Sequence, residues 1–160
     1  MKRLIFVSLI VVLFVSSCVK DSDTEAEAPK VDILLPFACD TVYFGEEFTF
    51  RLKLTDKNAL GNLSMDVHNN FNHHSHGDNV TCQMDERKEA IHPYSNAWIH
   101  SLPKQREYIF EKILTFPKET EENNIHDHGD YHFHIYVTNE DGYQVFTTLD
   151  IKVLHRDDFD

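Results

Sequence analysis

Gly129-Asp130-Tyr131-His132-Phe133-His134-Ile135-Tyr136-Val137-Thr138 alternates between two faces, residue by residue. Tyr131, Phe133, Ile135 and Val137 fall on one face, and His132, His134, Tyr136 and Thr138 on the other. Period-two alternation marks a strand with one buried side. Asn139-Glu140-Asp141-Gly142 follows, and Asp-Gly between two apolar runs signals a hairpin. The return strand runs from Tyr143 to Leu154, with Val145, Thr147, Leu149, Ile151 and Val153 in alternation. The hairpin therefore carries two histidines on its non-core face.

Similar segments lie upstream. Lys30 to Leu35 is a short apolar piece between Pro29 and Pro36, which suits a sheet edge. Thr41 to Phe44 is a second short piece, closed by Gly45. Phe48 to Leu54 sets Phe48, Phe50, Leu52 and Leu54 against Thr49, Arg51 and Lys53. Leu63, Met65 and Val67 alternate with Ser64, Asp66 and His68, and Tyr108 to Phe116 ends at Pro117. Asn69 to Asp85 reads as a polar loop, and Glu86 to Leu102, with the single tryptophan Trp98, fits neither period. About seven short strands with turn signals between them predict two packed antiparallel sheets.

The expected fold class is all-β, an immunoglobulin-like antiparallel β-sandwich. In that arrangement 48–54 is strand B, 63–68 is C, 108–116 is E, and the hairpin is F and G. Tyr131 at the start of F resembles the tyrosine corner of such domains. Two features depart from the antibody pattern: C holds no tryptophan, and neither B nor F holds a cysteine.

The N-terminus has a different character. Lys2 and Arg3 precede an apolar run, Leu4 to Val15, that is too short to span a bilayer as a helix. Val15-Ser16-Ser17-Cys18 resembles a lipobox, with Cys18 as the lipidation site. Residues 1–17 are then a lipoprotein signal peptide and 18–29 an acidic flexible tether. Residues 30–160 form one domain, long enough for a real core. Loss of 1–17 removes Lys2 and Arg3 and no acidic residue, so the charge moves from −12 to −14. Such a chain repels nucleic acid. Cys39 and Cys82 remain, and in an oxidising compartment a disulfide is the default for them.

The eleven histidines cluster. His68 is followed closely by His73, His74 and His76, and His126, His128, His132 and His134 form a second group. Strands C and F are antiparallel neighbours in the expected topology, so both groups reach one end of one sheet. Two histidines two apart on a strand stand about 7 Å apart on the same face, and a neighbouring strand about 4.8 Å away can supply a third ligand. His68, His132 and His134 are the preferred metal ligands, joined by one of His73, His74 or His76. His126 and His128 offer a second or alternative site. Asp66, Asp127 and Asp130 are candidates to accept the distal ring N–H and fix the tautomer. His92, His100 and His155 read as ordinary surface or loop histidines. Imidazole suits zinc first and copper(II) second, and only Met65 and Met84 follow the signal, which disfavours a copper(I) site.

Val67-His68-Asn69-Asn70-Phe71-Asn72-His73-His74-Ser75-His76 and Gly129 to Thr138 resemble the two signature segments of a family of uncharacterised bacterial lipoproteins. The resemblance implies an exported lipoprotein with an immunoglobulin-like fold. It implies no activity. His-Glu-x-x-His, Gly-x-Ser-x-Gly and a phosphate loop are absent, and the protein is expected not to be an enzyme. The expected function is capture or buffering of a divalent ion by a lipid-anchored envelope protein, at the outer membrane. An outer-membrane transporter is a candidate recipient, and the face, periplasmic or surface, stays open. The alternative is a non-catalytic interaction module that binds a protein or glycan.

Overall fold

The structure is a computed structural model and describes residues 27–74 and 82–156. The signal segment, Cys18, most of the tether and His76 lie outside the described residues.

Eight strands follow in order: β1 (Lys30–Leu35), β2 (Thr41–Tyr43), β3 (Glu47–Thr55), β4 (Leu60–Asn69), β5 (Asn96–Ser101), β6 (Glu107–Thr115), β7 (Gly129–Asn139) and β8 (Gln144–Leu154). They form a three-stranded sheet in the order β1-β3-β6 and a five-stranded sheet in the order β2-β8-β7-β4-β5. The fold is the immunoglobulin-like sandwich, with β3, β4, β6, β7 and β8 in the places of B, C, E, F and G. Two details differ from expectation. Among the described residues there are eight strands rather than about seven, because Asn96–Ser101 adds β5 beside β4. One pair is parallel, Thr41–Tyr43 of β2 against Lys152–Leu154 of β8.

The alternation in the sequence is the alternation of burial. Tyr131, Phe133, Ile135 and Val137 of β7 are all fully buried, facing Phe50, Leu52 and Leu54 of β3 and Phe110 and Leu114 of β6 in one core. Phe50 and Phe133 meet across the two layers with ring centroids 4.7 Å apart. Each such aromatic or aliphatic side chain contributes about 1.5–3 kcal/mol by leaving water.

The hairpin turn forms as its residues dictate. Gly142 takes a φ of 87°, which glycine adopts without the Cβ penalty, and its N–H donates to the Asn139 carbonyl at 3.1 Å. The tyrosine corner is present: the Tyr131 hydroxyl donates to the Asp127 carbonyl at 2.6 Å and accepts from the Tyr94 N–H at 3.1 Å. Burial pushes the Tyr131 hydroxyl well above the usual tyrosine range. This corner fixes the entry of β7, the strand that carries His132 and His134.

Cys39 and Cys82 are joined by a disulfide across a separation of 43 residues. It ties the chain after the β4 loop to the segment that runs along β8, where the Cys39 N–H donates to the Asp150 carbonyl at 2.9 Å. Three residues on, the Asp85 N–H donates to Asp130 Oδ2 at 2.8 Å, and Lys152 pairs with both carboxylates at 2.7 and 2.8 Å. Burial alone would lower the Lys152 pKa, but the hydrogen bonds to Asp130 and Asp85 outweigh it and hold the ammonium charged.

Candidate metal centre

The outer face of the five-stranded sheet carries a grid of polar side chains fixed by strand register. His68 of β4 stands opposite His132 of β7, and His132 opposite Asp150 of β8. One step along, Asp66 faces His134, and His134 faces Thr148. The cluster therefore follows from two patterns, Asp66-x-His68 on one strand and His132-x-His134 on the next, in a register set by the buried residues between them.

His68, His132 and His134 each offer a ring nitrogen, and those three atoms all lie within 4.8 Å of one another. His68 Nε2 and His132 Nε2 lie 2.6 Å apart. Tetrahedral zinc at about 2.05 Å from each nitrogen separates adjacent ligand atoms by about 3.3 Å, a value inside this range. His132 is 1% exposed, and the His134 and His68 side chains retain 13% and 29%. The site is thus sheltered and still reachable from one side.

Carboxylates lie behind the rings. Asp66 Oδ1 accepts from His68 Nδ1 at 2.9 Å and is 3.5 Å from His134 Nδ1. Asp150 Oδ1 is 3.8 Å from His132 Nδ1. A proton held on Nδ1 by a carboxylate leaves the Nε2 lone pair for an ion. The three histidines with their two aspartates have the composition of an imidazole metal site with its outer shell.

Of the two described candidates for a fourth ligand, His73 and His74, His74 stands nearer the cluster, although its ring nitrogens are not among the converging atoms. Its ring is stacked 5.8 Å from His68 and stands edge-on 4.8 Å from His132. The loop reaches this point by a defined path. Asn70 N–H donates to the Asp130 carbonyl, Phe71 is buried against Tyr131 at 5.4 Å, and His73 N–H turns back to the Asn70 carbonyl with φ at 55°. That turn sends His73 aside, with Nε2 3.9 Å from Asp130 Oδ2, and brings His74 over the site.

His126 and His128 are not brought to the cluster. His126 is buried, stacked 5.7 Å from Phe44, with Nδ1 3.0 Å from the His92 carbonyl. The ring of His128 stands 6.1 Å from that of His155. Among the described residues, His68, His132 and His134 are the one group of this kind with converging ligand atoms. Asp127 and Asp130 also serve elsewhere. Asp127 Oδ2 accepts from the Ile91 and His92 N–H groups, and Asp130 pairs with Lys152. Asp150 was not evident as a site residue. Its signal was the hairpin register, which sets residue 150 opposite 132 once the turn is placed.

The sequence matches the family described as Domain of unknown function (DUF4625) over residues 16–154. The chain belongs to that family. No curated protein matches the DUF4625 chain. Among solved structures it is similar to Spo0M, a sporulation control protein from Bacillus subtilis, at 16% identity and a TM-score of 0.43, over 81% of this chain and 51% of that one. The SrpA adhesin from Streptococcus sanguinis is similar at 15% identity and a TM-score of 0.40, over 83% and 61%. A Niemann-Pick type C2 protein from Japanese carpenter ant is similar at 12% and 0.42, over 82% and 97%. The chain thus spans only part of the length of the first two. These distant likenesses say nothing of what the DUF4625 domain binds.

Proposed function

We propose that this protein captures or buffers a divalent transition-metal ion at the cell envelope, held there by a lipid on Cys18. The ion is bound by Nε2 of His68, His132 and His134, with His74 as the fourth ligand. The observation that carries this reading is the convergence of the three ring nitrogens within 4.8 Å, with carboxylates on the opposite side of the rings. A chance group of surface histidines has no need of carboxylates placed behind each ring.

Zinc is the first occupant proposed and copper(II) the second, since neutral imidazole suits both. Met65 is fully buried in the core and faces away from the site, so it offers no thioether for copper(I). If the loop carries His74 onto the ion as a fourth ligand, the coordination shell closes as in structural sites, whereas catalytic zinc keeps a position open. The reading is therefore capture without turnover, and a transporter in the outer membrane is the proposed recipient. Affinity falls in acid, because protonated imidazoles cannot ligate.

Zinc titration against a competing chelator tests this reading. The untagged protein should bind about one zinc ion, and a variant carrying His132→Ala and His134→Ala should bind none at that site. Equal binding by both proteins would contradict it.

A second reading, an interaction module for a protein or glycan, draws on the next rank of the same face. Tyr136 and Phe146 pair at 4.8 Å, Phe146 is 40% exposed and Ile99 on β5 is 79% exposed. A partner that binds the metal-free protein and the His132→Ala, His134→Ala variant equally well would favour it.

A further inference from the structure

We propose that two copies of this protein pair along the outer edge of β5, antiparallel about a two-fold axis at Ile99, and so join their five-stranded sheets into one continuous sheet. The inference stands apart from the metal-binding reading and is tested without metal.

A sheet edge offers unpaired N–H and C=O groups to another strand, and natural proteins guard such edges with charge, proline or short length. Among the described residues, β1 and β6 end one sheet and β2 and β5 the other. β1 lies between Pro29 and Pro36 and carries Lys30 and Asp32. β6 carries Glu107, Glu111 and Lys112, and β2 has three residues. β5 has none of these protections: Asn-Ala-Trp-Ile-His-Ser contains no acid, lysine, arginine or proline. His100 adds no charge near neutral pH, because burial and the Lys112 charge hold its pKa below the ordinary value. In a chain of net charge −12, this neutral edge is where two copies meet with least repulsion.

The ladder to β4 fixes which groups face outward. The Leu102 N–H donates to the Gly61 carbonyl, so the even-numbered residues of this stretch bond to β4. Ala97, Ile99 and Ser101 therefore point their backbone groups the other way. The Ala97 N–H is taken by Asn96 Oδ1 at 2.8 Å. Centred on Ile99, two such strands exchange both Ile99 bonds, and each Ser101 N–H meets the Ala97 carbonyl of the second copy.

The same register is self-complementary in its side chains, as a two-fold interface requires. On the outward face Ile99, 79% exposed, meets its own copy, and Ala97 meets Ser101. On the inward face Trp98 stands opposite His100 of the second copy. His100 Nε2 is buried and has no hydrogen-bond partner among the described residues. The Trp98 indole N–H is a donor only, so the second copy supplies what this acceptor lacks.

A two-fold axis perpendicular to the sheet keeps both outward faces on one side. The two histidine centres then open on the same face, with their β4 strands about 14 Å apart across the paired β5 strands.

Sedimentation equilibrium of the untagged, metal-free protein tests the pairing. The wild type should show twice the mass of one chain. Ile99→Lys sets two like charges opposite one another and should show the mass of one chain, with unchanged circular dichroism. Ile113→Lys, at an exposed position on β6, should sediment as the wild type does. Ile99→Cys reads the register. Its two Cα atoms lie about 5.5 Å apart in this pairing, within disulfide range, so oxidation should give a covalent dimer, and Ile113→Cys should give none. A wild type that stays a single chain at every concentration leaves the edge to a strand of some other protein and overturns the inference. An Ile99→Lys variant that dimerises like the wild type, or an Ile113→Cys variant that cross-links as readily as Ile99→Cys, overturns it as well.

Discussion

His68 and His132 stand opposite one another on adjacent strands, with Nε2 atoms 2.6 Å apart. This pair is the centre of the proposed site, and neither ring can be removed without opening it. His68→Ala or His132→Ala should lower zinc affinity by more than about 100-fold, beyond what an outer-shell change produces. His126→Ala should leave zinc affinity unchanged, since that ring is packed against Phe44. Chelator competition on the three variants checks both statements.

The disulfide should matter to stability. Cys39 and Cys82 close a loop of 43 residues, which on the chain-entropy model is worth about 4 kcal/mol. The Cys39→Ser, Cys82→Ser variant should unfold at lower urea, and a thiol reductant should shift the wild type in the same direction. Denaturation curves with and without reductant measure the effect.

Tyr131→Phe removes one hydroxyl that serves two backbone groups, the Asp127 carbonyl and the Tyr94 N–H. The ring stays, so the core is preserved, but a buried N–H loses its acceptor. The expected cost is about 1–3 kcal/mol, read by urea denaturation of the metal-free protein.

His100 gives a pH dependence of known sign. Burial, helped by the Lys112 charge, lowers its pKa below the ordinary value of 6.5. A base whose folded pKa is depressed binds fewer protons folded than unfolded. Its contribution is therefore complete above about pH 6.5 and is lost as pH falls below it. His100→Leu, which keeps the contact with Phe110, should reduce the acid sensitivity of the metal-free protein between about pH 7 and 5. Melting temperature across that range checks it.

The hairpin, the core face of each long strand and the meeting of His68 with His132 were legible because each rests on alternation and register. β5 was not. Its outward face holds Ile99, 79% exposed, while Asn96, Trp98 and His100 take the other face, so polarity and burial run against the usual pattern. That His74 rather than His73 stands beside the cluster was equally hidden. It turns on the bend at Asn70–His73, and a positive φ at a histidine leaves no clear mark in sequence. His126 is buried and bonded to the His92 carbonyl, an environment that the sequence does not distinguish from that of a ligand.

The most direct test of the central claim is elemental mass spectrometry of the untagged protein, purified without chelator and again after incubation with a panel of divalent ions. The account predicts close to one zinc or copper per chain, lost in the His132→Ala, His134→Ala variant. A protein free of metal under every loading condition would contradict it.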